Sequence, residues 1–139
     1  MLIRLLLVVL LAASTIAVPA AQEGAVYVAY YWRARPEKTA EYNAYIREYA
    51  EPIDEAARRA GAFDEVRTYL APTRADGQPP DWTHLRVFRL KDAAAADALS
   101  GALDAATKKL RTAEQQKAAS ERASGLRDFV RQERWTELR

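Results

Sequence analysis

The segment Ala25–Arg35, which Pro36 closes, constrains the fold more than any other part of this sequence. It reads Ala-Val-Tyr-Val-Ala-Tyr-Tyr-Trp-Arg-Ala-Arg, and its β-branched and aromatic residues predict a β-strand. Neither set of alternate positions is clearly polar before Arg33, which indicates a strand that is covered on both faces. Because a small domain rarely has enough helix to cover both faces of a sheet, we expect a second subunit to supply one cover.

The first residues predict a cleaved secretory signal peptide over residues 1–21, followed by a single domain over residues 22–139. Arg4 precedes the uncharged apolar run Leu5–Val18, and Val18-Pro19-Ala20 offers small residues at the usual cleavage spacing. A retained membrane anchor is the alternative, but the run is shorter than the roughly 20 residues of a spanning helix. We expect a periplasmic or secreted protein without stable membrane association.

The composition excludes several kinds of chemistry. The chain has no cysteine and one histidine, so it can form no disulfide, no cysteine nucleophile and no zinc site built from cysteine and histidine. Its formal net charge is +2, which gives no strong field toward nucleic acid or anionic lipid. We therefore expect no metal and no nucleic-acid partner.

Two helical segments are predicted. An apolar stripe at three- and four-residue spacing runs from Tyr42 to Ala60 and predicts a helix of about six turns. Pro52 should bend or restart that helix, and Gly61 should end it. Asp92 should cap the second helix, and we favour helix over a mobile connection for residues 112–124.

Three further strands follow from two-residue alternation. They are Phe63–Ala71, Trp82–Leu90 and Asp128–Leu138. The order strand, helix, strand, strand, helix, strand predicts a ferredoxin-like α+β fold, in which two helices cover one face of a four-stranded antiparallel sheet. With these two-faced strands, the chain over residues 26–138 resembles the dimeric α+β-barrel superfamily, which includes the antibiotic-biosynthesis-type monooxygenases. That resemblance implies a homodimer packed through the uncovered sheet faces, with ligands bound inside the barrel or between sheet and helices.

Strand alternation predicts which side chains share the uncovered face. If the aliphatic residues Val26, Val28, Val66, Leu70, Leu85 and Val87 lie under the helices, the aromatic and charged residues lie opposite them. We predict a ligand-binding face formed by Tyr27, Tyr31, Arg33, Glu65, Arg67, Tyr69, Trp82, Phe88, Glu133 and Trp135, with His84 and Arg86 as catalytic candidates. Because arginines outnumber acids on this face, an anionic aromatic molecule would suit it.

Three functional hypotheses remain open. The first is a binding protein for a small, partly aromatic, anionic molecule, without a cofactor. The second is a cofactor-independent oxygenase or isomerase in which His84 transfers a proton and Arg86 stabilises negative charge. The third is a dimerising structural or stress-related protein without a ligand. One histidine would also suffice as an axial haem ligand, as in some relatives, but no other residue favours haem.

Overall fold

The computed structural model describes residues 24–72 and 75–138. The predicted signal peptide, residues 1–21, lies outside the described residues. Within the described ranges, no helix has the length and apolar character needed to cross a membrane.

Four strands form one antiparallel sheet in the order β2-β3-β1-β4. They are β1 (Val26–Ala34), β2 (Glu65–Leu70), β3 (His84–Leu90) and β4 (Arg127–Thr136). The first strand of the sequence is therefore an inner strand, paired with β3 on one side and β4 on the other. This strand order and the helices between the strands confirm the predicted ferredoxin-like α+β fold.

The helical layer is more divided than predicted. Between β1 and β2 lie α1 (Thr39–Tyr45), a π-helical turn (Ile46–Ala50) and α2 (Glu51–Arg59). The helical path continues through Pro52. The turn before Pro52 widens to a π-helical turn, in which the Glu51 N–H donates to the Ile46 carbonyl. Pro52 then lies in the first turn of α2. Proline has no N–H to donate, so it is tolerated at this junction.

The second predicted helix is two helices, α3 (Ala93–Leu110) and α4 (Ala113–Leu126). The chain turns at Arg111, which is extended, and Thr112 starts α4 with a capping box shared with Gln115. The helical interpretation of residues 112–124 is confirmed, but as a separate helix rather than a continuation of α3.

Strand register corrects the predicted faces of β3. Val28 lies opposite Phe88, Tyr30 opposite Arg86, and Trp32 opposite His84. Directly opposed residues of an antiparallel pair share a face. Since Val28 packs in the core under the helices, all of these β3 residues do so too.

The predicted positions of His84, Arg86 and Phe88 on the uncovered face are therefore wrong, and so are those of Leu85 and Val87 under the helices. The prediction assumed that aliphatic residues of neighbouring strands share a face. Instead, His84 is 0% exposed and Arg86 7% exposed, because helix residues provide polar partners for both. We call the uncovered side of the sheet the bare face; by register it carries Tyr27, Ala29, Tyr31, Glu65, Arg67, Tyr69, Leu85, Val87, Arg89, Arg131, Glu133 and Trp135.

Candidate functional site

A cavity of about 280 Å³ lies between the helix-covered face of the sheet and the helical layer. We call it the inner cavity. The residues that line it are Tyr30, Trp32, Tyr45, Ala50, Asp54, Arg86, Phe88, Ser100, Leu103 and Arg127. Strands β1, β3 and β4 contribute lining residues, and β2 does not. The other lining residues come from α2, from α3, from the last residue of α1 (Tyr45) and from the π-helical turn (Ala50). Its size lies near the lower limit of about 300 Å³ for small-molecule sites.

A buried ion pair forms one wall of the inner cavity. Arg86 of β3 donates from Nη2 to Asp54 Oδ2 of α2, and from Nε to the Thr68 hydroxyl at 3.2 Å. The side chains of Arg86 and Asp54 are only 9% and 7% exposed. Burial raises the pKa of the Asp54 carboxyl, and the neighbouring Arg86 charge acts in the opposite direction. Within the described residues, Arg86 Nη1 has no hydrogen-bond partner and is not fully buried.

A second arginine, Arg127, also lines the inner cavity. Arg127 begins β4 directly after α4, and its guanidinium lies 3.6 Å from the centroid of the Trp32 ring. Its Nη1 donates to the Tyr42 hydroxyl at 2.8 Å. Among the residues that the structure describes, no carboxylate pairs with Arg127, and its Nε and Nη2 donate to no protein group. The aromatic rings hold this cation in place and leave donors available.

Aromatic side chains supply the apolar surface of the inner cavity. Tyr30 contacts Phe88 edge to face with 5.8 Å between ring centroids, and Tyr45 stacks on Tyr49 at 5.4 Å. Burial raises the pKa of both the Tyr30 and the Tyr45 phenol, so both are neutral hydroxyls near pH 7. In the described part of the chain, neither hydroxyl has a protein partner. The cavity therefore combines aromatic walls with several free hydrogen-bond donors.

His84 lies beneath the helices and does not line the inner cavity. Its Nε2 is 2.9 Å from Asn43 Oδ1 and its Nδ1 is 2.8 Å from the Thr83 hydroxyl, which fits a neutral ring with the proton on Nε2. Burial, with a smaller effect from the Arg127 charge, lowers the pKa of the imidazole. Neither nitrogen is free for iron, which does not suit an axial haem ligand. The catalytic role of His84 stays a prediction.

Some of the predicted bare-face residues do meet. Glu133 accepts hydrogen bonds from the Tyr31 hydroxyl at 3.1 Å and from Trp135 Nε1 at 3.0 Å, and it pairs with Arg131 at 2.7 Å. Trp82 contacts Tyr31 edge to face, with ring centroids 5.5 Å apart. Arg131 holds the pKa of the Glu133 carboxyl below its usual value. In this cluster the polar groups pair with one another.

The other predicted bare-face residues lie apart from that cluster. Tyr27, Glu65, Arg67 and Tyr69 line a separate cavity of about 360 Å³, where Arg67 pairs with Glu65 at 2.6 Å. Arg33 instead donates to the Asp81 carbonyl at 2.7 Å. The ligand-binding role of these residues stays a prediction.

Sequence reasoning missed Asp54, Arg127, Trp32, Tyr30 and Tyr45 as cavity residues. One signal could have found Asp54: it lies next to Ile53 and three residues before Ala57, which places a carboxylate at the edge of the apolar stripe. Such a residue needs an inward-facing cation, and Arg86 is that partner. No comparable pattern marks Arg127. Among the described residues, no group of three or more acids and histidines could hold a metal ion.

Comparisons with known proteins give likeness of fold only. The sequence matches no family model. It also matches no curated protein. One similar solved structure is HapK from Hahella chejuensis, 13% identical over 81% of this chain and 92% of that chain, with a TM-score of 0.48.

Two other crystal structures are similar to the same extent. A dimeric protein of unknown function and ferredoxin-like fold from Bacteroides fragilis is 11% identical over 84% of this chain and 100% of that chain, with a TM-score of 0.48. An ethyl tert-butyl ether d (ethd) family protein from Bacillus halodurans is 15% identical over 83% and 99% of the two chains, with a TM-score of 0.44. At these TM-scores the likenesses support no functional conclusion, and the fold rests on this chain's own topology.

Proposed function

We propose that this protein binds a small aromatic molecule with a carboxylate or similarly placed carbonyl oxygens in the inner cavity. The observation that carries the proposal is that Arg86 and Arg127 both line one aromatic cavity, and that each has donors which no group among the described residues accepts. Hydrogen bonds from guanidinium to carboxylate are among the stronger ones in proteins, and desolvated donors favour an anionic acceptor. A single-ring acid suits the volume of about 280 Å³.

Intrinsic fluorescence can test this proposal with benzoate as the probe. Trp32 lines the inner cavity, whereas Trp82 and Trp135 lie on the other side of the sheet. In a Trp82→Phe/Trp135→Phe protein, Trp32 is the sole tryptophan, so the emission reports on the surroundings of Trp32 and Arg127. We expect benzoate to change its emission saturably.

Two matched arginines provide the control. Arg127 lies over Trp32 at 3.6 Å, and Arg131 lies over Tyr31 at 3.9 Å on the bare face. Arg127→Gln should weaken benzoate binding about tenfold, the value of one charge-assisted hydrogen bond. Arg131→Gln should leave binding unchanged. No saturable change in wild-type emission, or equal losses in both variants, would overturn the proposal.

We infer in addition that the protein is a homodimer joined through the bare face. In a single chain this face exposes Tyr69 and Trp135, at 45% and 40%, beside half-buried Leu85 and Val87. Its arginines are each paired with a carboxylate, Arg67 with Glu65, Arg89 with Asp64 and Arg131 with Glu133, so a second copy would meet no unpaired cation there. An exposed surface of mixed aromatic and aliphatic residues is typical of interfaces.

Sedimentation equilibrium tests the dimer. Val87→Asp replaces an apolar side chain by a charged one near the centre of the bare face and should give a monomer at concentrations where the wild type is dimeric. Leu110→Asp is the matched control, because Leu110 is 42% exposed at the end of α3, away from that face. A monomeric wild type, or equal dissociation in both variants, would contradict the homodimer.

We also propose export, which the apolar run Leu5–Val18 supports. The full chain expressed in a bacterium should yield a periplasmic protein whose amino terminus lies near Gln22. Recovery of an uncleaved chain from the cytoplasm would contradict export. The cavity and the bare face do not depend on this result.

A further inference from the structure

The buried pair Arg86–Asp54 separates two cavities. Both residues line the inner cavity, and both also line a second space of about 400 Å³ between α2 and β2, which we call the outer cavity. The outer cavity is otherwise lined by Glu51, Glu55, Arg58, Val66 and Thr68. Motion of one side chain of the pair would therefore change access between the two spaces.

Each partner depends on the other for charge compensation. A buried guanidinium without a counter-charge is strongly disfavoured, so Arg86 can release Asp54 only if another anion replaces it. A neutral ligand offers no replacement. Burial already raises the pKa of Asp54, so this carboxylate is less favourably solvated than a surface acid.

A second arginine lies where a released Asp54 could pair. Arg58 follows Asp54 by four residues on α2, the spacing at which side chains of a helix meet, and it lines the outer cavity. Arg58 now pairs with Glu55 at 2.9 Å, but Glu55 also pairs with Arg59 at 2.8 Å. Glu55 would therefore keep a partner if Arg58 turned to Asp54.

We propose that Asp54 is a displaceable counter-ion, which a ligand carboxylate replaces on Arg86 while Asp54 turns toward Arg58 in the outer cavity. This inference rests on the proposed function, because it requires an anion in the inner cavity. It makes the site selective for aromatic acids over neutral molecules of the same shape, since only an acid can release the pair.

The test compares benzoate with benzamide, a neutral molecule of nearly the same shape, by the Trp32 emission assay. Asp54→Asn removes the competing charge, so the ratio of benzoate to benzamide affinity should rise about tenfold, as expected when an anion no longer competes with a carboxylate. Glu51→Gln is the matched control, because Glu51 lines the outer cavity without a contact to Arg86. We expect its ratio to change less than about twofold, since exposed charges are screened.

A second pair of variants does not disturb the buried residues. Arg58→Gln removes the arginine to which a released Asp54 would turn. It should lower benzoate affinity about threefold, the size of effect expected for a partly exposed charge pair, and should leave benzamide affinity unchanged. Arg59→Gln removes an equal charge from Glu55 without touching the outer cavity and should have no effect. Equal effects of Arg58→Gln and Arg59→Gln, or an unchanged ratio in a folded Asp54→Asn protein, would overturn the displacement.

Failure of this inference can be told apart from failure of the binding function. If benzoate does not alter Trp32 emission in the wild type, the binding proposal itself is wrong. If benzoate binds and depends on Arg127, but the Asp54 and Arg58 variants keep the wild-type ratio, only the displacement is wrong.

Discussion

On the bare face, Arg67, Arg89 and Arg131 each pair with a nearby carboxylate, whereas on the helix-covered face Arg127 has no acidic partner in the described residues and Arg86 has one that is buried. The bare-face pairs keep at least a third of each side chain in water. The Arg86–Asp54 pair is nearly removed from it.

This difference indicates which arginines can gain a new partner from a ligand. Paired, solvated groups gain little from a new partner, because a ligand must compete both with water and with the existing acid. On the other face, Arg86 Nη1 and Arg127 Nε and Nη2 have no partner among the described residues, so a ligand at these atoms would not compete with an existing pair. This difference is the reason for proposing a protein contact at the bare face and an anionic small molecule in the inner cavity.

The largest expected effect tests the two faces of β3 directly. Phe88 is 3% exposed and packs on Phe63 at 5.0 Å between ring centroids, so Phe88→Ala should lower the free energy of unfolding by about 4 kcal/mol. Leu85→Ala on the bare face should cost only about 1 kcal/mol, because that side chain is half-buried. Urea unfolding of dilute protein measures both.

The same pair of variants also sharpens the comparison. If the bare face is a dimer interface, the cost of Leu85→Ala should grow with protein concentration, since dissociation then contributes to unfolding. The cost of Phe88→Ala should not. Equal losses of unfolding free energy in Leu85→Ala and Phe88→Ala at every protein concentration would contradict the assignment of Leu85 to the bare face and of Phe88 to the core.

The next effect concerns the arginines of β3. Arg86→Met leaves the Asp54 carboxyl buried without its counter-charge and should lower the free energy of unfolding by about 3 kcal/mol. Arg89→Met, three residues later, removes an arginine whose pair with Asp64 is exposed, and should change stability little. Thermal or urea unfolding of both variants at pH 7 distinguishes the cases. Similar stability of the two variants would mean that the Arg86 pair is not held in a dry interior.

The sequence predicted the fold well because local patterns decide it. The β-branched and aromatic residues of Ala25–Arg35, the break at Gly61 and the cap at Asp92 each mark an element or its boundary through the chemistry of a few adjacent residues. The bare-face grouping of Tyr31, Glu133 and Trp135 also followed from alternation within β1 and β4. Prediction was sound where one strand's own pattern sufficed.

The inner cavity could not be predicted in that way. Which alternate set of β3 faces the helices depends on register with β1, and on whether α1 and α2 provide partners for polar residues. Asn43 and Asp54 make it favourable to bury His84 and Arg86, but these residues are separated from them by about 30 to 40 positions, a spacing that no local pattern reveals. Arg127 lines the cavity because α4 ends at Leu126 and Arg127 is the first residue of β4.

The smallest effect follows from the protonation of His84, the only histidine in the chain. Burial lowers the pKa of its imidazole in the folded state below the ordinary value near 6.5. Above pH 6.5 the ring is neutral in both states and its contribution to stability is complete. As the pH falls below 6.5, the unfolded chain takes up the proton first, so the free energy of unfolding decreases until the folded pKa is reached.

The difference between wild type and His84→Gln isolates this contribution. Asp54 acts in the opposite direction, because its folded-state pKa is raised, but it is present in both proteins and cancels. We expect the wild type to lose more stability than His84→Gln between pH 6.5 and pH 5, as measured by urea unfolding at each pH. Parallel pH profiles would show that the ring is solvated in the folded protein, as it would be on the bare face, and would reverse the assignment of β3 on which the inner cavity depends.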